Sequence, residues 1–542
     1  MQADNSGRAG TEPSASPSEG EEPRRKSGNR AAGGRKKSRN RTPMAGAKDE
    51  ATPHGRVGVV DIGSNTVRLV VYDTPNRLPI PIFNEKAECR LAEGLGQSGR
   101  LSASGVVRAL QALKRFARLS AAMGVDRLEL VATAAVRDAS DGAAFVAGVE
   151  TACGMSVHVL SGAEEARLAA VGVLNGMAGA DGALADLGGG SLDLVGLDSG
   201  KVGSFATLPC GHLRLAEDAG HDRERAWALL DERLRTVPWL ERIAGRSLYC
   251  VGGTWRALAK LFIEQTHHPL HVVDNFTLSF FEARRLSDLI GHLSRATIGL
   301  LPDVDANRLE ALPYAAAALA ALLEKARPRE VVFSAYGMRE GQMLELLPRA
   351  LRQQDPLISA CESRSERSGR FALHGQEILD WTTPLFRDER EHERRLRLAV
   401  CLLSDIGWNE HPDYRALHSF LRVLRVPFPG LSHPDRAEMA LAVLVRYGGV
   451  EDDPHVVPVR TLLDEKRTMR ARVTGLALRL AHTLSGGAPD LLSQTKLRAN
   501  DREIVLDLPG DAEIFLSEAV DRRFGRLARA MGLRPRVGTR QA

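Results

Sequence analysis

Two stretches of the sequence place an aspartate, glycines and hydroxyl side chains directly after an apolar run. The first contains Asp61, Gly63, Ser64, Asn65 and Thr66, and the second contains Asp186, Gly188, Gly189, Gly190 and Ser191. Glycines let backbone N–H groups approach a ligand closely, and concave arrays of N–H groups bind anions. Hard divalent cations prefer oxygen ligands such as an aspartate carboxylate. Each stretch alone is compatible with a phosphate and metal site, and equally with a plain tight turn.

The repetition of the pattern favours the ligand site. Asp61 and Asp186 lie 125 residues apart, which is about the length of a domain. An apolar run precedes each turn and an alternating strand follows it, a pattern typical of a β-hairpin. A repeat of this length predicts two related halves that face each other across a cleft. Each half would contribute one aspartate and one phosphate-binding turn.

A pair of glutamates at a predicted helix start is a third candidate. Ser161-Gly162-Ala163-Glu164 matches the S-x-x-E capping box, in which Glu164 accepts the Ser161 backbone N–H and so has a structural role. Glu165 lies about 100° further round the helix, which leaves its side chain free to point elsewhere. The pattern alone favours a surface glutamate at a helix N-terminus for Glu165. A general base that deprotonates water is the alternative.

For two arginines, the sequence leaves open what their side chains contact. Arg137 carries a forked guanidinium that suits phosphate, but a surface ion pair with Asp138 explains it as well. Arg68 falls in an alternating strand, and the sequence leaves open which face it occupies.

The elements that must position these residues follow from hydrophobic periodicity. Residues 55–180 alternate apolar strands with amphipathic helices, and residues 181–350 repeat the scheme, which predicts an α/β class twice over. Residues 351–485 have long helical patterns. Residues 486–542 combine two strand-like runs, at residues 494–497 and 503–508, with a basic amphipathic helix at about residues 516–531, which predicts a small α+β end domain. Residues 1–54 have almost no large apolar side chains and are predicted to be a disordered basic tail.

Composition narrows the class of protein. A chain of 542 residues is too long for one core and predicts several domains. Six cysteines without a C-x-x-C pair or metal-ligand spacing indicate reduced thiols in the cytosol. We find no apolar run that predicts a transmembrane helix and no apolar core of a secretory signal. Nine Lys or Arg between Arg24 and Arg41 form either an inert solvated arm or a tether for a polyanion.

Seven motifs, taken together and in order, carry a family resemblance. They are DIGSNTVRL at residues 61–69, ATAAVRDA at 132–139, SGAEEARLA at 161–169, DLGGGSLDLV at 186–195, LPCGHLRL at 208–215, VGGTWRALA at 251–259 and GMREG at 337–341. With them the chain resembles the exopolyphosphatase and guanosine pentaphosphate phosphohydrolase family. The resemblance implies a duplicated actin-like (ribonuclease H-like) α/β fold.

The same resemblance implies roles for individual residues. It identifies Glu165 as the catalytic glutamate that activates water against a terminal phosphorus. Mg²⁺ is expected at Asp61, Asp186 and Asp193, and phosphate at Ser64, Asn65, Thr66, Arg137, Gly188, Gly189, Gly190 and Ser191. Asp193 stands where the family usually has a glutamate. The aspartate keeps the charge but reaches one methylene less far, which leaves its direct role open.

The helical region resembles the C-terminal extension of long exopolyphosphatases, which is related to HD-type metal phosphohydrolases. His374 opens a predicted helix, and Ser404-Asp405 stands where such a metal site needs His-Asp. Because that histidine is missing, we interpret the HD-like region as a scaffold and polyanion path without a metal. Candidate path residues are Arg394, Arg395, Arg397, Arg522, Arg523 and Arg526, for each of which a solvated helix face is the alternative.

The leading hypothesis is an exopolyphosphatase that releases terminal orthophosphate from inorganic polyphosphate. The alternatives are a guanosine pentaphosphate 5′-phosphohydrolase acting in the stringent response and a non-catalytic sensor of polyphosphate or nucleotide. Intact Glu165, Asp61 and Asp186 argue against the sensor. The two substrates present the same terminal phosphoanhydride, so the sequence leaves them open. The resemblance further implies a cytoplasmic homodimer with no membrane partner.

Overall fold

Three sheets and twenty-one helices organise the part of the chain that is described. The computed structural model of the protein describes residues 55–73, 77, 80–300, 308–368, 370–371, 374–509 and 515–539. The predicted tail at residues 1–54 lies outside these ranges. None of the described helices is long and apolar enough to cross a membrane. All six cysteines are unpaired thiols.

The first sheet has the order β3-β2-β1-β4-β5. Its strands are β1 (Arg56–Ile62), β2 (Thr66–Asp73), β3 (Ile80–Glu88), β4 (Val125–Ala132) and β5 (Val157–Val159), and its helices are α1 (Leu95–Ser98), α2 (Ala103–Ala122), α3 (Ala134–Asp138), α4 (Gly142–Cys153) and α5 (Gly162–Gly176). Strand β1 pairs antiparallel with β2 and parallel with β4. The predicted hairpin after Asp61 is therefore confirmed.

The second sheet repeats this arrangement with the order β10-β11-β9-β6-β7-β8. Its strands are β6 (Gly182–Leu187), β7 (Leu192–Asp198), β8 (Lys201–Leu208), β9 (Ser247–Val251), β10 (Phe276–Ser279) and β11 (Glu330–Phe333). Its helices are α6 (His212–Asp218), α7 (Arg223–Arg235), α8 (Gly253–Gln265), α9 (Phe280–His292), α10 (Arg295–Gly299), α11 (Leu312–Ala326) and α12 (Met338–Glu345). Strands β6 and β7 form the second predicted hairpin. The predicted duplicated α/β fold is confirmed, because in both sheets an antiparallel three-strand meander is followed by parallel strands on the side of its first strand.

Helices dominate the C-terminal region. They are α13 (Arg349–Arg352), α14 (Pro356–Ser368), α15 (Gly375–Thr382), α16 (Glu391–Leu402), α17 (Arg415–Arg425), α18 (His433–Tyr447), α19 (Val457–Arg460), α20 (Glu465–Ser485) and α21 (Glu518–Ala530). A small sheet of β12 (Lys496–Ala499), β13 (Glu503–Leu508) and β14 (Arg534–Thr539) completes it. Leu480, Leu506 and Phe524 share one hydrophobic core, so the helices and the end sheet pack as a unit. The domain boundaries at residues 180, 350 and 485 stay predictions.

The end sheet differs from expectation in two details. Gln494, predicted to begin a strand, closes a short 3₁₀ turn, and β12 starts at Lys496. Strand β14 is not predicted from the sequence, because its residues, RPRVGT, show no clean apolar alternation. Strand β14 forms through parallel pairing with β13, which is a non-local contact.

Helices α5 and α12 cross with their backbones in contact. Gly172 of α5 lies against the Gly337 carbonyl, and Gly341 of α12 lies against the Leu168 carbonyl. A Cβ atom at residue 341 would stand 1.9 Å from that oxygen, so only glycine allows this approach. Helix α5 packs mainly on the second sheet and α12 on the first. The crossing therefore joins the two halves of the fold.

The helical region is anchored beside this crossing. A Cβ atom at Gly430 would stand 2.1 Å from the carbonyl oxygen of Gly176, the last residue of α5. The Tyr336 hydroxyl, in the loop before α12, donates a hydrogen bond to the Pro427 carbonyl at 3.2 Å. Both contacts reach elements that also border the cleft between the halves.

We expect Gly341→Ala to lower the free energy of unfolding by about 3 kcal/mol, because a clash with a backbone oxygen cannot be relieved by a rotamer change. The control is Gly148→Ala in α4, where an added Cβ meets no atom within 4 Å. That control should gain about 0.5–1 kcal/mol from helix propensity. Urea unfolding measures both. Equal midpoints for the two variants would contradict the role given to the crossing.

Candidate active site

The two predicted turns have the same internal geometry and lie side by side. Gly63 N–H donates to the Thr66 carbonyl, and Gly188 N–H donates to the Ser191 carbonyl, each at 3.0 Å. A Cβ atom at Gly190 would stand 3.2 Å from the hydroxyl oxygen of Ser64. The absence of side chains in the second turn therefore lets it approach the first closely. The facing turns expected from the repeat are present.

A cleft with a cavity volume of about 180 Å³ opens between the turns. Its walls include the predicted residues Asp61, Ser64, Asn65, Thr66, Glu165, Asp186, Gly188, Gly189, Gly190, Ser191 and Asp193. They also include six polar residues to which the sequence analysis gave no role or no orientation, namely Arg68, Lys86, His212, Arg256, Arg308 and Arg339. Arg137 lies just beyond the cleft and reaches Glu165. The fold thus gathers the predicted site residues from four separate motifs into one place.

Asp186 and Asp193 form an acidic pair on neighbouring strands. They are direct cross-strand partners in β6 and β7. The Ser191 hydroxyl donates to Oδ2 of Asp193 at 2.9 Å, whereas Oδ1 of Asp193 is buried without a hydrogen-bond partner. Burial, followed by the charge of Asp193, raises the pKa of Asp186 to about 7, and burial also raises the pKa of Asp193. The pair therefore favours a bound cation or proton.

Glu165 is a mostly buried carboxylate held by one arginine. Arg137 Nη1 donates to Oε2 of Glu165 at 2.7 Å and to the Leu160 carbonyl at 3.0 Å. Burial raises the pKa of Glu165 to about 8, Asp193 adds to this, and the Arg137 guanidinium opposes it. Arg137 also contacts Asp138 at 3.2 Å, so the predicted alternative of an ion pair there is present as well.

The capping box that distinguishes the two adjacent glutamates is confirmed. Ser161 N–H donates to Oε2 of Glu164 at 2.8 Å, and Glu164 N–H donates to the Ser161 hydroxyl at 3.2 Å. Glu164 is thereby occupied with the helix start. Glu165, one position on, points into the cleft.

The first half of the fold carries a different charge at the position equivalent to Asp193. Asp61 pairs across the hairpin with Arg68, just as Asp186 pairs with Asp193. Arg68 lines the cleft, which answers the question that its strand pattern left open. Burial raises the pKa of Asp61, while Arg339, 3.8 Å away, and Arg68 oppose the shift. The two halves have thus diverged into one hairpin with an aspartate–arginine pair and one with two aspartates.

Arg256 and Arg339 are further cations that the motifs contained without assigning. Arg256 lies in VGGTWRALA and Arg339 in GMREG. Burial, with the nearby charge of Arg339, lowers the pKa of Arg256 to about 10. The signal for these two residues in the sequence is an arginine in a motif made mostly of apolar or small residues.

The acidic pair fits a hydrated magnesium ion better than a fully protein-bound metal. In the described ranges, no three His, Cys, Asp or Glu side chains are grouped so that they could hold a metal. Mg²⁺ commonly takes one or two carboxylates together with waters and substrate phosphates. The unpartnered Oδ1 of Asp193 and the raised pKa of Asp186 suit that mode. Asp186 and Asp193 would hold the ion, which would neutralise charge on the phosphate oxygens.

The HD-like position of the helical region is surrounded by cations. Asp405 accepts from Arg370 at 2.9 Å and from Arg446 at 3.3 Å. Ser404, which replaces the expected histidine, hydrogen-bonds His482 at 2.9 Å. Guanidinium groups thus neutralise the carboxylate that a metal would need. The expectation that this region holds no metal stays a prediction.

Comparison with known families agrees with the site. The sequence model of the Ppx/GppA phosphatase family matches residues 70–350, and the model of the exopolyphosphatase C-terminal region matches residues 357–537. The first match contains Arg137, Glu165, Asp186 and Asp193.

A solved structure has the same fold over about half of this chain. An exopolyphosphatase from Cytophaga hutchinsonii is 23% identical, with a TM-score of 0.50, over 54% of this chain and 99% of its own. The Aquifex aeolicus member of the Ppx/GppA family is 24% identical, with a TM-score of 0.47, over 54% of this chain and 97% of its own. MreB5 of Spiroplasma citri is 16% identical, with a TM-score of 0.21, over 31% of this chain and 55% of its own. Because one family model spans more than half of the residues, the chain belongs to the Ppx/GppA phosphatase family.

Proposed function

We propose that the protein is a magnesium-dependent exopolyphosphatase that releases terminal orthophosphate from inorganic polyphosphate. Membership of the phosphatase family and the facing glycine turns support hydrolysis of a terminal phosphoanhydride. A cytoplasmic homodimer, implied by the resemblance, belongs to the same proposal.

In the proposed reaction, water attacks the terminal phosphorus, the bond to the bridging oxygen breaks, and a chain one phosphate shorter remains. Glu165 takes the proton of the attacking water. Because its pKa is raised to about 8, its carboxylate is a stronger base than an ordinary glutamate. Arg137 holds that carboxylate in place. The N–H groups of the two turns bind the phosphate oxygens, which positions the terminal group for attack.

The position of Arg308 is the observation that carries the choice of substrate. Gly252, Gly253 and Thr254 lie in the VGGTWRALA motif, which by the family resemblance corresponds to the turn that meets the nucleoside in ATPases of this fold. Arg308 Nη1 donates to the Thr254 hydroxyl at 3.1 Å, and a Cβ atom at Gly253 would stand 2.8 Å from Arg308 Nη2. A guanidinium therefore covers this turn. It suits a phosphate chain better than a guanosine.

The rest of the cleft wall supports the same choice. Its cationic side chains are Arg68, Lys86, Arg256, Arg308 and Arg339. Among the described residues that line it, none is a phenylalanine, tyrosine or tryptophan on which a guanine could stack.

The candidate path for a long chain needs one correction. Arg394, Arg395 and Arg397 are bound to acidic partners in the helical region, and Arg397 is buried against Glu389. Arg397 is therefore not available to a polyanion, and Arg394 and Arg395 would have to leave their carboxylate partners to bind one. Arg522, Arg523 and Arg526 lie instead beside Arg479, whose pKa is lowered by burial and by these three charges. These residues stay candidates for contact with a long chain.

The test of this function compares two substrates. With Mg²⁺, we expect kcat/KM for long-chain polyphosphate to exceed that for guanosine pentaphosphate by at least about tenfold, because the Arg308 guanidinium covers the nucleoside turn. Arg308→Ala should narrow this ratio, whereas Arg285→Ala on the exposed surface of α9 should leave it unchanged. Faster hydrolysis of guanosine pentaphosphate by the unmodified protein would refute the choice of substrate.

Glu165→Gln is expected to lower turnover by at least about two orders of magnitude, since it removes the general base. Glu164→Gln should cost far less, because glutamine also completes a capping box. Orthophosphate release at saturating substrate measures both, and the neighbouring residue provides the matched control. An inactive Glu164→Gln variant together with an active Glu165→Gln variant would show that Glu164, and not Glu165, is the general base.

The raised pKa values also predict how magnesium stabilises the protein. Asp186 and Glu165 bind protons more tightly when folded, so their favourable contribution is present below their ordinary values of 3.8 and 4.5. It is lost as pH rises through about 7 and about 8. Because metal replaces protons, the rise in Tm on adding Mg²⁺ should be at least about twofold larger near pH 8.5 than near pH 6.

Differential scanning calorimetry checks this without any substrate. Asp193→Asn should reduce the shift, whereas Asp198→Asn, at the exposed end of the same strand, should not. A shift that is equal at both pH values, or unchanged in Asp193→Asn, would argue against magnesium at the acidic pair.

A further inference from the structure

A second cavity of about 320 Å³ adjoins the cleft behind Glu165. It is lined by Arg137, Asp138, Gly162, Gly190, Ser191, Thr207, Leu208, Pro209 and Arg214. Among the described residues, it shares with the cleft only Gly190 and Ser191 of the phosphate-binding turn, and none of the five cationic side chains of the cleft wall. Arg137 connects the two spaces, because it lines this cavity while its guanidinium holds Glu165.

Arg214 gives this cavity the character of an anion site. Its Nε is buried and has no hydrogen-bond partner, and Nη1 stands 3.7 Å from Oδ2 of Asp138, which is beyond hydrogen-bond distance. A buried donor without an acceptor is costly unless a ligand satisfies it. An oxyanion supplies such an acceptor, and a guanidinium binds tetrahedral oxyanions through a pair of parallel N–H groups.

Asp138 already occupies the place between the two guanidinium groups. Its Oδ1 accepts from Arg137 Nε at 3.2 Å, and its Oδ2 faces Arg214. About two-fifths of the Asp138 side chain is exposed, so a small anion from inside the cavity can compete with it. The carboxylate would then act as a weak internal competitor for the same two cations.

The contact also bridges the two halves of the fold. Arg214 belongs to α6 of the second half, and Asp138 ends α3 of the first. One further contact spans the same side, where Gly94 N–H donates to Oε1 of Glu217 at 3.2 Å. These contacts between partly exposed groups are weak.

We propose that this cavity binds the orthophosphate product and releases it to solvent by a route separate from the polyphosphate chain. The inference rests on the proposed function. When the terminal phosphoanhydride has been hydrolysed, orthophosphate stands next to Glu165 and Arg137, while the shortened chain remains among the cations of the cleft. Repeated hydrolysis requires the product to leave before the chain advances. Arg137 and then Arg214 provide successive cationic contacts for that departure.

The experiment uses the full-length protein and compares two variants with opposite expected effects. Arg214→Gln should raise the inhibition constant of orthophosphate at least about tenfold, as expected when a charged hydrogen bond is lost. It should leave KM for long-chain polyphosphate within about twofold. Asp138→Asn should lower the orthophosphate inhibition constant several-fold, because it removes the competing charge. Arg225→Gln, on the exposed surface of α7, is the control and should change neither constant.

Two results would overturn the proposal. An equal rise of KM and of the orthophosphate inhibition constant in Arg214→Gln would place the substrate chain in this cavity. Unchanged inhibition constants in both Arg214→Gln and Asp138→Asn would remove any role in product binding. The opposite signs expected for the two variants distinguish a specific effect from general damage to the fold.

Direct titration separates this inference from the proposed function. Calorimetric binding of orthophosphate to the substrate-free protein should weaken in Arg214→Gln and strengthen in Asp138→Asn, whichever phosphoanhydride the enzyme prefers. If the unmodified protein hydrolyses guanosine pentaphosphate instead, the same inhibition measurements apply, since orthophosphate is again the product. If only the hydrolysis of polyphosphate fails, the choice of substrate is refuted. The titration then decides whether the second cavity binds orthophosphate.

Discussion

The backbone contact between α5 and α12 is the constraint on which the site depends. Gly172 and Gly341 let the two helices touch where the halves of the fold meet. Glu165 stands at the start of α5, and Arg339 and Glu340 stand at the start of α12. The angle and separation of these helices therefore set how Glu165 faces the cations across the cleft. A larger side chain at either crossing point would move both sets of groups at once.

The cleft contains more buried charge than a fold would retain for stability alone. Burial raises the pKa of Glu165 to about 8 and of Asp186 to about 7, and it lowers the pKa of Arg256 to about 10. Shifted pKa values of this kind are typical of a functional site. Two aspartates share the second hairpin, and cations reach the cleft from the first hairpin, α8 and α12. A ligand that is itself polyanionic and arrives with a divalent cation satisfies both groups, which a neutral ligand could not do.

The electrostatics of the helical region differ from those that its predicted HD-like metal site would need. The carboxylate of Asp405 is neutralised by Arg370 and Arg446, and the region contacts the ends of the two elements that cross. Its anchoring at Gly430 and Tyr336 ties it to the geometry of the cleft. These contacts are consistent with a structural support for the two α/β halves.

Local patterns in the sequence were sufficient for part of this description. The hairpins after Asp61 and Asp186, the capping box at Ser161 and the α/β repeat depend on hydrogen bonds and periodicities within a few residues, and each is confirmed. The same local geometry accounts for Glu164, which caps the helix, whereas the catalytic role of Glu165 is implied by the family resemblance.

Tertiary structure decided what depends on contacts between distant segments. Whether Arg68 faces the cleft, whether Arg308 covers the third glycine turn and whether Arg397 is buried against Glu389 all depend on which elements pack together. The sequence does not distinguish an arginine that is solvated from one that is ion-paired or that contacts a ligand, because its environment is formed by residues far along the chain. The unpartnered Nε of Arg214 also depends on tertiary structure, because the packing of the fold buries this donor away from any acceptor.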